Sequence, residues 1–238
     1  GKGQPIPAPV LPTFDKPVFE SKTVLDLTPI SELNKSHHAC GYLLGRGIPE
    51  DKFDRLYYCP NFKEWTNKHK KIFENTSNDD DRIIIPLLDR EGNLFGYQGR
   101  SLNPNNTMRY ITIMLDEDAP KIFGLDQINE NETVYVTEGP FDSFFVPNSI
   151  AMCGSDVDLS SYDYKFVFVY DNEPRNREIV KKIGESAKQG HKVVIFPNNI
   201  QQKDLNEMVN AGINVRDVVE SNTYSGLEAQ LKLSSWKV

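Results

Sequence analysis

Short apolar runs separated by polar turns dominate the chain, and most of them are of strand length. Arg82 to Leu88 and Leu94 to Arg100 flank the polar segment Asp89-Arg-Glu-Gly-Asn93, which predicts a β-hairpin. Met108 to Ile113 predicts a third strand beside it. Further on, Val134 to Thr137, Ser149 to Cys153, Phe166 to Tyr170 and Lys192 to Phe196 read as buried strands; the continuous apolar run Phe166 to Tyr170 in particular suits a parallel sheet covered on both faces. Helical signals lie around and between these runs. Thr28 to Leu33 opens like a capped helix, and Ser36 to Gly45 carries Ala39, Tyr42, Leu43 and Leu44 on one face before a glycine stop. Pro49 starts another short helix. Residues 174–189 form a helix ended by Gly190, and 205–215 a helix broken at Gly212. The tail carries Tyr224, Leu227, Leu231, Leu233 and Trp236, an apolar pattern that packs on the core or docks a partner. Residues 1–28, with prolines at 5, 7, 9, 12 and 17, read as an extended arm or linker.

The pattern places acids at strand ends. Glu138 follows the first of the later strands, and Gly139 and Pro140 turn the chain into a helix whose first turn holds Asp142. Asp171-Asn-Glu173 follows the strand ending at Tyr170, and Lys203-Asp204 comes after the strand ending at Phe196 and a polar loop. In open α/β sheets ligands bind outside the carboxyl ends of the strands. One such Glu is more often a solvated turn residue; three acidic loops at one sheet edge repel one another unless a cation neutralises them. Hard oxygen donors suit Mg²⁺ or Mn²⁺, so Glu138, Asp171, Glu173 and Asp204 are the expected metal ligands.

Basic residues are candidates for phosphate contact. Arg82, Arg100 and Arg109 lie on the three predicted strands of the first half and could converge on one face. Arg175 and Arg177 lie in the first turn of the helix after the second acidic loop, where cations oppose the helix dipole, so they are either triphosphate contacts or solvated side chains. The polar stretch 57–80 with Lys63, Lys68, Lys70 and Lys71 is either a phosphate-facing cluster or a solvated helix face.

Composition narrows the classes. The 238 residues are 38% apolar and 26% charged, an ordinary globular balance with room for one large or two small domains. No apolar run reaches the 18 or so residues of a membrane span, and no basic-then-apolar leader opens the chain, so a cytoplasmic protein with no membrane partner is expected. Cys40, Cys59 and Cys153 have no zinc-ligand spacing, and the odd count fits a reducing compartment. The net charge of −7 is shared by both halves, with 16 basic and 20 acidic residues in 1–132 and 11 and 14 in 133–238. Any nucleic-acid contact must therefore use a local stripe and not a global field. No Gly-x4-Gly-Lys-Ser/Thr phosphate loop occurs in these residues, so no fused helicase of that class is expected among them.

The order Glu138-Gly-Pro-Phe-Asp142, Asp171-Asn-Glu173, Lys203-Asp204-Leu-Asn-Glu207 resembles the toprim domain, found in DnaG-type primases, type IA and II topoisomerases, recombination mediators and some nucleases. Ahead of it, the sequence around Arg46-Gly47, the Arg82 hairpin, the Gly-Arg100 and Arg109-Tyr110 strands and Gly124-Leu125 are similar to the N-terminal subdomain of DnaG-type primase cores, the other toprim classes lacking it. The resemblance spans about residues 35–212 and is strongest to primase subunits of T-even-like tailed phages. Two departures stand out: Glu173 replaces the usual second Asp, and Asn206 occupies a usually acidic position.

The resemblance implies an α/β fold, with an α+β N-terminal subdomain at 29–132, a toprim domain with a mostly parallel sheet at 133–212 and a helical tail at 213–238. It implies synthesis of short RNA primers from ribonucleoside triphosphates on single-stranded DNA. Glu138, Asp171 and Glu173 would be catalytic, Asp142, Gly139 and Lys203 would support them, and Arg82, Arg100, Arg109, Arg175 and Arg177 would contact nucleotide or template. A replicative helicase is the expected partner. The opening Gly-Lys-Gly, without Met, reads as an excised piece or a tag remnant, and because such primases use a zinc-binding domain to recognise template, the resemblance implies one upstream or on a partner. A toprim nuclease or a non-catalytic nucleic-acid-binding module are the alternatives.

Overall fold

The computed structural model describes residues 25–155 and 157–237. Most of the proline-rich arm lies outside the described residues. In chain order the elements are β1 (Thr28–Pro29), α1 (His38–Gly45), β2 (Tyr57–Cys59), α2 (Phe62–His69), β3 (Arg82–Leu88), β4 (Leu94–Ser101), β5 (Tyr110–Met114), β6 (Ile122–Phe123), β7 (Thr133–Thr137), α3 (Pro140–Ser143), β8 (Ser149–Met152), β9 (Lys165–Val169), α4 (Arg177–Lys188), β10 (Lys192–Val194), α5 (Leu205–Asn210), α6 (Val215–Ser221), β11 (Thr223–Tyr224) and α7 (Gly226–Trp236).

Two sheets organise them. The first is antiparallel with order β1-β2-β3-β4-β5, and the second has order β11-β10-β9-β7-β8-β6. In the second, β10, β9, β7 and β8 pair in parallel while the edge strands β11 and β6 pair antiparallel. The mixed α/β class and the mostly parallel sheet are as the pattern predicts. The sheet's edges, however, come from residues 122–123 and 223–224, beyond the 133–212 segment assigned to it from sequence. Two-residue edge strands carry too little periodicity to be seen in a sequence.

The hairpin forms around Asp89, whose carboxylate accepts from the backbone of Glu91 and Asn93 and closes the turn. The Thr28–Leu33 segment is a strand followed by a single 3-10 turn, Ile30–Glu32, rather than a capped α-helix, and the stretch after Pro49 is also a 3-10 helix. The polar stretch 57–80 hides β2 and α2. Phe62 and Trp65 of α2 pack with Cys59, Ile84 and Tyr97. Lys63 and Lys70 donate to the carbonyls of Ser77 and Met114, so these two lysines serve the fold. Gly99 on β4 is where Phe62 crosses the sheet; a Cβ there would fall 2.5 Å from the Phe62 ring.

The largest buried cluster runs from Ile30, Leu43 and Ile83 through Ile122 and Val136 to Ile183 and Trp236, so one core joins the two sheets. Burial of this size is the main stabilising term. The tail helix α7 packs through Ala229, Leu233 and Trp236, whereas Leu227 and Leu231, which the apolar pattern grouped with them, are exposed.

Candidate active site

The parallel strands end on one side of the second sheet, above a cleft of about 1500 Å³ that also faces the first sheet. Glu138, Gly139, Asp142, Asp171, Lys203 and Asp204 line it from the second sheet. Arg46, Gln98, Arg100, Arg109 and Tyr110 line it from the N-terminal half.

Each acid is set by local structure. Glu138 follows β7 directly. Its Oε2 accepts from the backbone N–H of Asp171 at 3.1 Å, and its Oε1 meets Lys182 Nζ at 3.0 Å. Pro140 starts α3 and places Asp142 in its first turn, where Oδ1 accepts from the backbone N–H of Asn206 at 3.1 Å. Asp171 leaves β9 and shares Lys203 with Glu173, the ammonium lying 3.7 Å from each. Asp204 caps α5 through a 2.7 Å bond from the Glu207 N–H, which uses one of its oxygens.

The crowding shows in proton affinity. Burial, then the charges of Asp204 and Glu138, push Asp142 up to about 7 against the pull of the Asn206 N–H and Arg46. Burial, then Glu138 and Asp142, push Asp171 up to about 7, with Lys203 opposing. Among the described residues no three His, Cys, Asp or Glu side chains converge into a ready-made metal cage. Mg²⁺ does not need one, since it binds through one or two carboxylates and keeps waters and substrate phosphates as its other ligands. The hard oxygens of Glu138, Asp142, Asp171 and Asp204, with Asp142 and Asp171 raised by burial and then by their neighbours' charge, fit such an ion.

The opposite wall is built from arginines held by rings. Arg100 lies over Tyr110 at 4.6 Å and Tyr42 at 5.6 Å. Arg46 lies over Phe141 at 5.1 Å and Tyr42 at 5.8 Å and donates to the Tyr42 hydroxyl. The Nε atoms of Arg46 and Arg100 are buried and find no hydrogen-bond partner among the described residues. Two guanidiniums steadied by aromatic faces rather than by carboxylates keep their charge for an anion.

Other expected residues lie elsewhere. Arg82 is 1% exposed. Its guanidinium donates to the carbonyls of Gly99 and Met108 and pairs with Asp80, so it is a structural strut. Arg175 precedes the Asn176 cap of α4 and Arg177 opens the helix; both are exposed and neither lines the cleft. Glu173 is turned to Lys203 and Asn176, outside the cleft lining. Sequence reasoning passed over Arg46, read as part of a helical turn, and Lys182, which is 44 residues from the glutamate it pairs with.

No protein-family model matches the chain. The fold is that of DnaG-type primase catalytic cores. The RNA polymerase domain of Mycobacterium tuberculosis DnaG, solved with a double-stranded DNA oligomer carrying a 6-nucleotide overhang, superposes with a TM-score of 0.61 at 16% identity, over 86% of this chain and 78% of that one. The zinc-binding and RNA polymerase domains of Aquifex aeolicus primase superpose with a TM-score of 0.59 at 21% identity, over 80% of this chain; the match spans only 57% of the Aquifex chain. In sequence the chain is similar to the DNA primase of Enterobacteria phage T4, 29% identical over 247 aligned residues that cover 99% of this chain and 71% of the relative.

Proposed function

We propose that the chain is the catalytic core of a DNA primase, making short RNA primers from ribonucleoside triphosphates on single-stranded DNA with a toprim-type acid cluster. The observation that carries this reading is the meeting, in one cleft, of four carboxylates from the second sheet with Arg46, Arg100 and Arg109 from the first half of the chain. A DNA-bound neighbour of the same fold and the phage relative support it.

In this reading Glu138, Asp171 and Asp204 hold Mg²⁺ or Mn²⁺, with Glu173 supporting Asp171 through their common Lys203. The ion, when bound, neutralises charge on the transferred phosphoryl group and eases deprotonation of the attacking 3′-hydroxyl. Asp142, poised at about 7, takes up or releases a proton at its carboxyl. Arg46 and Arg100 orient the triphosphate, so that its α-phosphate meets the 3′-hydroxyl and pyrophosphate leaves toward the guanidiniums. Arg109, exposed at the mouth, contacts the template backbone. With a net charge of −7 the core holds DNA weakly by itself, and a replicative helicase would supply the template.

The test is incorporation of labelled ribonucleotide on single-stranded DNA with Mg²⁺ or Mn²⁺, comparing wild type with Glu138→Gln. Metal-dependent oligoribonucleotides lost in the variant support the proposal. Template degradation would indicate a nuclease, and DNA binding without either reaction a non-catalytic module.

A further inference from the structure

Lys182 Nζ stands between two carboxylates. Glu138 Oε1 is 3.0 Å away in the cleft, and Glu178 Oε1, one turn earlier on α4, is 3.5 Å away. Lys182 and Glu138 are partly buried, with side chains 29% and 21% exposed, while Glu178 is 70% exposed. Lys182 is thus the ammonium paired with Glu138, while Lys203 pairs with Asp171 and Glu173.

We propose that Lys182 is a built-in counter-ion for Glu138. It neutralises Glu138 while the cleft lacks a divalent ion, and it yields Glu138 and moves to Glu178 when one enters. This rests on the reading of Glu138 as a metal-holding group. A lysine suits the role. Its charge is a point on a flexible four-carbon stem, so a small change of torsion takes it from one partner to the other, which a rigid bidentate arginine would resist. The second partner matters because an ammonium displaced from a partly buried carboxylate, with no other anion in reach, would lose its pairing altogether. Glu138 is meanwhile held in place through its other oxygen by the Asp171 N–H, so the exchange does not require the carboxylate to move. The consequence is competition: the lysine lowers the apparent affinity for the divalent ion and, in exchange, stabilises the metal-free fold.

The experiment is equilibrium Mn²⁺ binding to the full chain, read from the paramagnetic resonance of free Mn²⁺, together with Tm in chelator and in Mn²⁺. Lys182→Met should bind Mn²⁺ about fivefold tighter than wild type, the equivalent of one modest ion pair, and should show a lowered Tm in chelator that Mn²⁺ restores. Lys182→Arg should pair with Glu138 and bind no tighter than wild type. Glu178→Gln, a surface change that leaves the cleft intact, should bind about two- to threefold more weakly because the lysine has lost its alternative. Unchanged or weaker binding by Lys182→Met, with binding abolished in Glu138→Gln, would overturn this inference and leave the metal reading standing. Absence of Mn²⁺ binding to wild type would overturn both.

Discussion

Asn206 on α5 donates its side-chain amide to the carbonyl oxygen of Arg46, 160 residues earlier at the end of α1, while its backbone N–H is bonded to Asp142. Asn210, one turn on, donates to the Gly45 carbonyl. The terminal carbonyls of α1 are thus capped by side chains from another helix, and Gly47, at φ 71°, turns the chain away where a Cβ would meet Asn210. The acid wall and the arginine wall are joined at this point. Asn206→Ala leaves the half-buried Arg46 carbonyl without this partner and should cost about 1–3 kcal/mol, read as a lowered denaturant midpoint at constant slope. Asn206→Asp should be no less damaging, because it loses the donor and adds charge beside Asp142.

Stability without metal should fall as pH rises. Asp142 and Asp171 have folded-state pKa values of about 7, above the ordinary 3.8. Between those values the folded chain binds more protons than the unfolded one, so the unfolding free energy declines with increasing pH and levels off above about 7. A Tm series in chelator should drop by several degrees from pH 5 to pH 8. Mg²⁺ should flatten the slope. A Tm that rises over this range would contradict the crowding of these acids.

Arg100→Ala should weaken nucleotide binding by about tenfold, the worth of a charge-assisted phosphate contact. Fluorescence titration with a labelled ribonucleoside triphosphate reads this directly. Arg46→Lys should recover less than half of the lost affinity relative to Arg46→Ala, since an ammonium cannot reproduce the planar packing on Phe141 and Tyr42.

Arg82→Ala should act on stability and not on substrate affinity. It removes a buried guanidinium that partners the half-buried Asp80 and the Gly99 and Met108 carbonyls, a loss of about 3–5 kcal/mol. Arg109→Ala, at an exposed position, should leave the unfolding midpoint within about 0.5 kcal/mol of wild type and lower DNA affinity at low salt. Paired unfolding curves and DNA titrations separate the two arginines.

The parallel strands and their acidic ends were legible because continuous apolar runs and strand-end carboxylates leave local traces. Glu138, Asp171 and Asp204 line one cleft, as the strand order implies, with Asp142 beside them, whereas Glu173, expected among the ligands, faces Lys203 and Asn176 outside the lining. Arg82 misled because a charged residue at a strand start reads as exposed, whereas the close approach of Phe62 at Gly99 buries it. Arg175 and Arg177 misled because the helix begins two to three residues later than its pattern suggested, at the Asn176 cap, turning both outward. Lys182 and Arg46 each have one partner a helical turn away, Glu178 and Tyr42, but the contacts that bring them to the cleft come only through tertiary packing, across 44 residues to Glu138 in one case and from the other sheet's side of the cleft to Phe141 in the other. Helix periodicity could have flagged Lys182 as the residue one turn after Glu178, but not as the partner of Glu138.

The most direct test of the central claim is template-directed incorporation. Labelled ATP on oligo-dT and labelled GTP on oligo-dC, with Mg²⁺, should each give short RNA with wild-type protein, and the mismatched pairings should not. Asp171→Asn, shown to be folded by its unfolding curve, should lose both products by at least about a hundredfold. Full activity in that variant, or incorporation that ignores the template base, would contradict the account.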